Sequence, residues 1–398
     1  LPLWTEKGTT VRRELERFIV DEEISRGYKH VMTPDIAKID LYKKSGHYPY
    51  YKESMYAPIE IDGDEFMLRP MTCPHHFELY LSRPRSYREL PMRLAELAKL
   101  YRYEQSGELS GLVRVRSFCL ADAHIVCAGS SQASDEVRGA LTLIEDVAEI
   151  FGLKKGTDFW YRLSLGDRSD DKKYYKNDSA WDEAEAILRQ VLQEKTKQAK
   201  EKGENMHFYE APNEAAFYGP KIDIQMRDVR GKENTAFTVQ YDFVMPGRFK
   251  LEYTGEDGAI HQPVVIHRSS IGAIERVMAF LIEKYAGKFP LWLAPVQVAI
   301  IPIGDAHHET AIAIADALRN NGKKNGHHVR VELDLTPENF GKKVRKAKTE
   351  KIPYTVIIGD KDLAVGKVTL ESRDHGNLGQ MTQEEVVEKM IKEIAEKK

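Results

Sequence analysis

Cysteine is scarce in this chain: three thiols in 398 residues, at positions 73, 119 and 127. An odd and small number excludes a disulfide framework, and a reducing cytoplasm is the expected location. Long apolar runs are missing as well. None approaches the ~18 residues of a bilayer-spanning helix, so no membrane span is expected. Neither charge dominates, with 59 Lys and Arg against 62 Asp and Glu and a net charge of −3. That balance argues against a histone-like binder but leaves room for a local basic patch. The opening LPLWTEKGTT has neither the charged nor the apolar part of a signal peptide. It also has no initiator Met, and the chain is expected to be a piece of a longer protein. No period of 20–50 residues repeats, which excludes a solenoid.

What is present is enough length for two or three domains. Apolar spacing predicts a helix over 9–25, capped at Thr9 or Thr10, then a turn and short strand in RGYKHVMTP. A hairpin is predicted around Asp62-Gly63. Helix is predicted over 74–83, 131–151, 179–200 and 271–285. Strands are predicted over 92–104, 112–127, 217–228, 235–243, 248–254 and 263–267. Strands that cluster in this way indicate α+β, an antiparallel sheet flanked by helices. After AGKFPLWLAPV the rhythm changes to a small α/β domain, with helices over 306–321, 338–350 and 382–396. The domains are expected at 1–290 and 296–398. In the second, GKKVRKAK (341–348) reads either as a solvated helix face or as a phosphate-contacting helix.

LVRVRSFCLADAHIVC (112–127) carries the most chemistry. In a regular strand, Arg114, Arg116, Phe118, Leu120, Asp122 and His124 share one face. Cys119 and Cys127 fall on the opposite, apolar face with Val113 and Val115. A bland reading is an exposed amphipathic strand. The sharper one is a site floor where guanidinium groups meet phosphates and an aromatic ring offers a stacking plane. Near it stand Arg102 and Glu104 in YRYEQSGELSG, Tyr218 and Lys221 in AAFYGPKIDI, and His267 and Arg276 in VVIHRSSIGAIERVMAF. Cys73, in RPMTCPHH, is left open as ligand, nucleophile or core residue.

The order of these pieces is specific. RGYKHVMTP, YRYEQSGELSGLVRVRSFCLADAH and IGAIERVMAF resemble motifs 1, 2 and 3 of the class II aminoacyl-tRNA synthetases. RPMTCPHH, ADAHIVC, AAFYGPKIDI and VVIHRSSIGAIER resemble the threonyl-tRNA synthetase family within that class. The resemblance implies a class II catalytic domain followed by an anticodon-binding domain. It implies one zinc per chain on Cys73, His124 and His267, which suits the S and N donors that Zn²⁺ prefers. His75 and His76 are left out of that set.

The implied partners are threonine, ATP with Mg²⁺, threonine tRNA, and a second copy of the chain through motif 1. Arg102 is implied to hold the α-phosphate, Glu104 the adenine amino group, and Phe118 and Arg276 the two faces of adenine. Arg114, Lys221 and Gln240 complete the nucleotide and adenylate contacts. Asp122 is implied to hold the threonine hydroxyl, with Met71 and Tyr218 lining its pocket, and His47 to assist transfer to tRNA. The family's editing domain, N-terminal to the catalytic one, is not expected in these residues. Three places depart from the family pattern: Leu120 and Thr235 stand where glutamine is usual, and TPENFG (336–341) replaces an Arg-Asn-Glu stretch. A paralogue that binds RNA without catalysis is the alternative, but it should have lost the ATP or metal residues.

Overall fold

A computed structural model describes residues 1–227 and 231–398. The chain divides into two compact units, 16–280 with the first two residues, and 281–398 with residues 3–15.

The first unit is built on an eight-stranded sheet. Its order is Lys29–His30, Met92–Tyr101, Ser117–Cys127, Val264–Ala273, Glu233–Asp242, Lys221–Arg227, Phe159–Ser164 and Phe208–Ala211. The outermost pair at each edge is parallel and every inner pair antiparallel. Helices Ser130–Ile150 and Asp178–Glu201 carry apolar stripes, with Val137, Leu141, Ile144, Leu188 and Val191 fully buried. Each such side chain contributes about 1.5–3 kcal/mol on leaving water. The hairpin turn at Asp62-Gly63 has both residues at positive φ, as a two-residue turn of that sequence requires.

Several elements differ from expectation. The first helix starts at Glu6, where the Thr5 hydroxyl accepts from the Gly8 N–H, and Thr10 sits inside it, bonded back to the Glu6 carbonyl. Residues 112–116 lie outside the strand: the Val113 and Arg114 N–H groups both donate to the Ser110 carbonyl, which turns the chain over 111–113 and leaves Arg114 in an isolated bridge to Ser110. The expected strand 248–254 opens as a helix, Met245–Phe249, with Pro246 in its first turn and Lys250 at positive φ ending it. The strand 263–267 instead runs over Val264–Ala273, and its helix begins only at Ile274. Gly272 makes that extension possible. It has φ +71°, and a Cβ there would lie 2.4 Å from the Ala236 carbonyl. The expected strand 217–228 is Lys221–Arg227, and residue 228 lies outside the described residues.

The second unit has a five-stranded sheet in the order Val331–Leu333, Val298–Pro302, Tyr354–Ile358, Val368–Ser372, Gly376–Met381. Its core joins Val298, Ile300 and Val356 to Leu318 and Met390, from helices His308–Lys324 and Gln383–Ala395. Among the described residues no helix is long and apolar enough to cross a membrane.

Candidate active site

A cleft of about 520 Å³ opens over the middle of the eight-stranded sheet. Strand alternation sets its floor. Phe118, Leu120, Asp122 and His124 all border it, while Cys119 and Cys127 are buried elsewhere. In the neighbouring strand His267, Arg268 and Ser269 border the cleft, and Arg268 and Ser270 each bond Glu23 at 2.6 Å. Register places His267 beside both His124 and Gln240, and Ser269 beside Asp122.

Cys73 opens the helix Cys73–Leu81, with Pro74 in its first turn. Its Sγ and one ring nitrogen each of His124 and His267 lie within 4.8 Å of one another, and all three residues are buried. One ion could sit between them and keep an open coordination position. The orientation of each ring is fixed from outside. His267 Nε2 lies 2.7 Å from Asp242, whose other oxygen accepts from the N–H groups of Val244 and Met245 at 2.9 Å. His124 Nδ1 lies 2.9 Å from His76 Nδ1, and His76 Nε2 is 3.2 Å from Glu96. Outer carboxylate and histidine contacts of this kind orient metal ligands.

Electrostatics favour neutral donors. Burial, with Asp122 and Asp242 nearby, pushes the Cys73 thiol up. Burial, with His267 beside it, pushes His124 down. The imidazole is then ready to ligate, and the thiol must release its proton to do so.

The rest of the wall mixes apolar residues with arginines and acids. The Arg102 guanidinium lies 5.2 Å from the Phe118 ring centre, and its Nε donates to the Pro70 carbonyl at 3.2 Å. Arg276 is held by the carbonyls of Val113 (3.0 Å) and Thr235 (2.7 Å). Arg114 faces Glu104 at 3.8 Å and Glu108 at 3.4 Å. Tyr218 bonds Gln240 and stacks 5.0 Å from the His267 ring. Met71 also borders the cleft. So does His47, with its Nδ1 2.8 Å from the Ser45 hydroxyl. Burial, first, and then His267 push its pKa down to about 3.

Two expectations about placement change. Arg116 does not border the cleft: its guanidinium lies 4.7 Å over Tyr103 and its Nε donates to the Glu104 carbonyl. The turn at 111–113 breaks the alternation that would have aimed it inward. Lys221 does not border the cleft either. Its amine is bound 2.7 Å from Asp223, a carboxylate shared with Arg162 and Ser164.

Residues 56–285 match the family described as tRNA synthetase class II core domain (G, H, P, S and T), and residues 297–393 match an anticodon binding domain. A solved structure described as the RNA binding domain of threonyl-tRNA synthetase from Cryptosporidium parvum Iowa II superposes with a TM-score of 0.84. It is 33% identical, over 98% of this chain and 92% of that one. The chain belongs to the threonyl-tRNA synthetase family. A putative threonyl-tRNA synthetase from Aeropyrum pernix is similar at 29% identity, with a TM-score of 0.83 over 100% of this chain and 90% of that one. A threonine–tRNA ligase of Geobacillus sp. (strain WCH70) is 47% identical over 371 residues, 93% of this chain. The chain spans only 55% of that relative's length.

Two of the three departures from the family pattern, Leu120 and Thr235, lie in this class II synthetase core, and both border the cleft. Leu120 packs with Ala98, Leu100 and Phe118, and the Thr235 hydroxyl accepts from Gln225 at 2.8 Å. Residues not expected at the site are Thr72, which donates to Asp122, and His76, Glu96 and Asp242. His76 had a signal: it lies one helical turn after Cys73, on the same face. The other three depend on tertiary contacts that no local pattern reports. His75 bonds the Tyr42 hydroxyl at 3.0 Å instead.

Proposed function

We propose that this protein activates L-threonine with ATP and transfers it to the 3′ end of threonine tRNA. One observation carries the reading. The buried Cys73, His124 and His267 set opens onto the same cleft as Arg102, Glu104, Phe118 and Arg276. On this reading residues 1–290 form the catalytic domain and 296–398 the anticodon-binding domain. The protein acts in the cytoplasm as a homodimer through motif 1.

In the first step a carboxylate oxygen of threonine attacks the α-phosphorus of ATP and pyrophosphate leaves. Such a transfer needs alignment and charge neutralisation rather than covalent help. Arg102, Arg114 and Arg276 supply positive charge to the phosphates, which Mg²⁺ accompanies. Glu104 accepts from the adenine amino group, and Phe118 offers the stacking plane. Gln240 adds to the nucleotide and adenylate contacts, Tyr218 and Met71 line the amino-acid end, and Asp122 accepts from the side-chain hydroxyl. Zn²⁺ on the three donors would supply a Lewis-acid contact for the amino and hydroxyl groups. Lys221, beside Gln240 in the sheet and with its amine 2.7 Å from Asp223, completes the nucleotide and adenylate contacts.

In the second step a hydroxyl of the terminal adenosine attacks the adenylate carbonyl and AMP leaves. His47, whose imidazole burial keeps neutral, borders the cleft and assists this step. The non-catalytic alternative has nothing to favour it, since the arginines, Glu104 and the three donors are all in place.

The test is to charge a total tRNA pool with each labelled amino acid in turn and sequence the charged species. Threonine on threonine tRNA is the expected product. Another amino acid, or no product with zinc, Mg²⁺ and ATP supplied, would overturn the proposal.

A further inference from the structure

Several polar side chains deep in the cleft are paired with one another. Asp122 accepts from Thr72, His124 faces His76, His267 faces Asp242, and the Thr238 hydroxyl accepts from Gln240 at 3.2 Å. The Ser269 hydroxyl finds no hydrogen-bond partner among the described residues, although its atom is buried and the residue is 6% exposed. Ser269 borders the cleft. It lies on the His267 face of its strand, opposite Asp122 on one neighbouring strand and Thr238 on the other. Directly opposed residues in such a pair have Cβ atoms about 4.5–5.5 Å apart. A small group can therefore touch both the serine hydroxyl and the aspartate.

A buried hydroxyl without a partner is unfavourable, and a ligand that pairs it recovers that loss. The adjoining carboxylate narrows the choice of ligand atom. Asp122 already accepts from Thr72, and its remaining capacity is for a further donor. A hydroxyl placed between the two residues would give its hydrogen to Asp122 and present its oxygen to the Ser269 O–H. An aliphatic group of the same size would leave the Ser269 hydroxyl unpaired and offer Asp122 no further donor.

We propose that Ser269 is a specificity-determining residue that donates a hydrogen bond to the oxygen of the substrate's side-chain hydroxyl. The inference rests on the amino-acid activation proposed above. Ser269 then acts with Asp122 to favour β-hydroxy amino acids over isosteric aliphatic ones. It contributes nothing to telling threonine from serine, since both carry the hydroxyl.

The experiment is amino-acid-dependent ATP–pyrophosphate exchange by zinc-loaded wild type and Ser269→Ala, with threonine, serine and valine. KM for threonine and for serine should rise together by about three- to tenfold, the scale of one neutral hydrogen bond. Values of kcat should stay within twofold and valine should be unaffected, so threonine-over-valine preference falls by the same factor. Zinc content and melting temperature should match wild type. Ser270→Ala, on the opposite face and bonded to Glu23, should leave all three KM values unchanged. Unchanged threonine KM in Ser269→Ala would overturn the inference, as would an equal loss for valine. So would a change in the threonine-to-serine ratio, which would make Ser269 a wall of the methyl pocket. If wild type itself fails to activate threonine, the functional reading falls first; a normal wild type beside an insensitive variant overturns only the role of Ser269.

Discussion

Changing Asp242 to Asn should disable the metal site without touching a metal donor. Asp242 is fully buried and uses one oxygen for the Val244 and Met245 N–H groups and the other for His267 Nε2 at 2.7 Å. With Nε2 committed there, Nδ1 is the nitrogen left to face Cys73 and His124. In the variant, the amide oxygen should stay on the two backbone donors, and the NH₂ group then points at His267 Nε2. Two donors now oppose one another unless the imidazole moves its proton to Nδ1, the nitrogen that must bind the ion. Removing an outer partner of this kind costs about 10–100-fold in metal affinity, or about 1.4–2.7 kcal/mol. The assay is zinc competition against a chromophoric chelator, with melting curves in zinc and in EDTA to confirm folding. The variant should bind zinc about 10–100-fold more weakly and lose most of the zinc-dependent rise in melting temperature. Zinc affinity within twofold of wild type, in a folded variant, would refute the ring-orientation argument.

Cys73→Ser should abolish both zinc retention and pyrophosphate exchange, whereas Cys119→Ala and Cys127→Ala should keep the metal; elemental analysis of each purified variant decides this. Arg102→Ala and Arg276→Ala should each slow exchange by about two orders of magnitude or more, because each removes positive charge from a phosphate site; near-normal exchange in both would sink the assignment. In the helix Phe340–Thr349, Lys342, Lys343 and Lys346 already contact Glu338, the Asp334 carbonyl and Glu332, while Arg345 and Lys348 are exposed. Charge reversal at Arg345 and Lys348 should weaken tRNA binding and flatten its salt dependence, by about 0.7 in slope per lost phosphate contact. An unchanged slope would leave that helix as a solvated face. Only a methyl separates serine from threonine, which permits about 10–200-fold discrimination, so residues 1–398 alone should release measurable seryl-tRNA in excess serine. Rapid enzyme-dependent deacylation of that product would contradict this.

The alternation of Phe118, Leu120, Asp122 and His124 was readable because a buried strand keeps its two-residue period, and the same period separated Cys119 and Cys127 from the site. Arg116 was misjudged because the period does not hold through 112–116, where one carbonyl at Ser110 captures two N–H groups and turns the chain. The convergence of Cys73, His124 and His267 came from family resemblance alone; nothing in the spacing of such distant residues brings them together. Glu96 and Asp242 look like ordinary acids within apolar strands, and only the folded sheet reveals that each faces a histidine. Lys221 sits in a matching motif, yet Asp223, two residues along the same face of its strand, takes its amine. The strand Phe159–Ser164 went unrecognised because it is buried on nearly every residue and shows no alternation.

The most direct test of the central claim is ATP–pyrophosphate exchange by the zinc-loaded protein with each of the twenty amino acids supplied singly. Threonine should give the fastest exchange, serine should follow about 10–200-fold lower in kcat/KM, and valine should be lower by on the order of 10⁴-fold or more. Exchange that is equal for valine and threonine, or that is driven best by an amino acid without a hydroxyl, would contradict a metal-based reading of the hydroxyl by Cys73, His124 and His267.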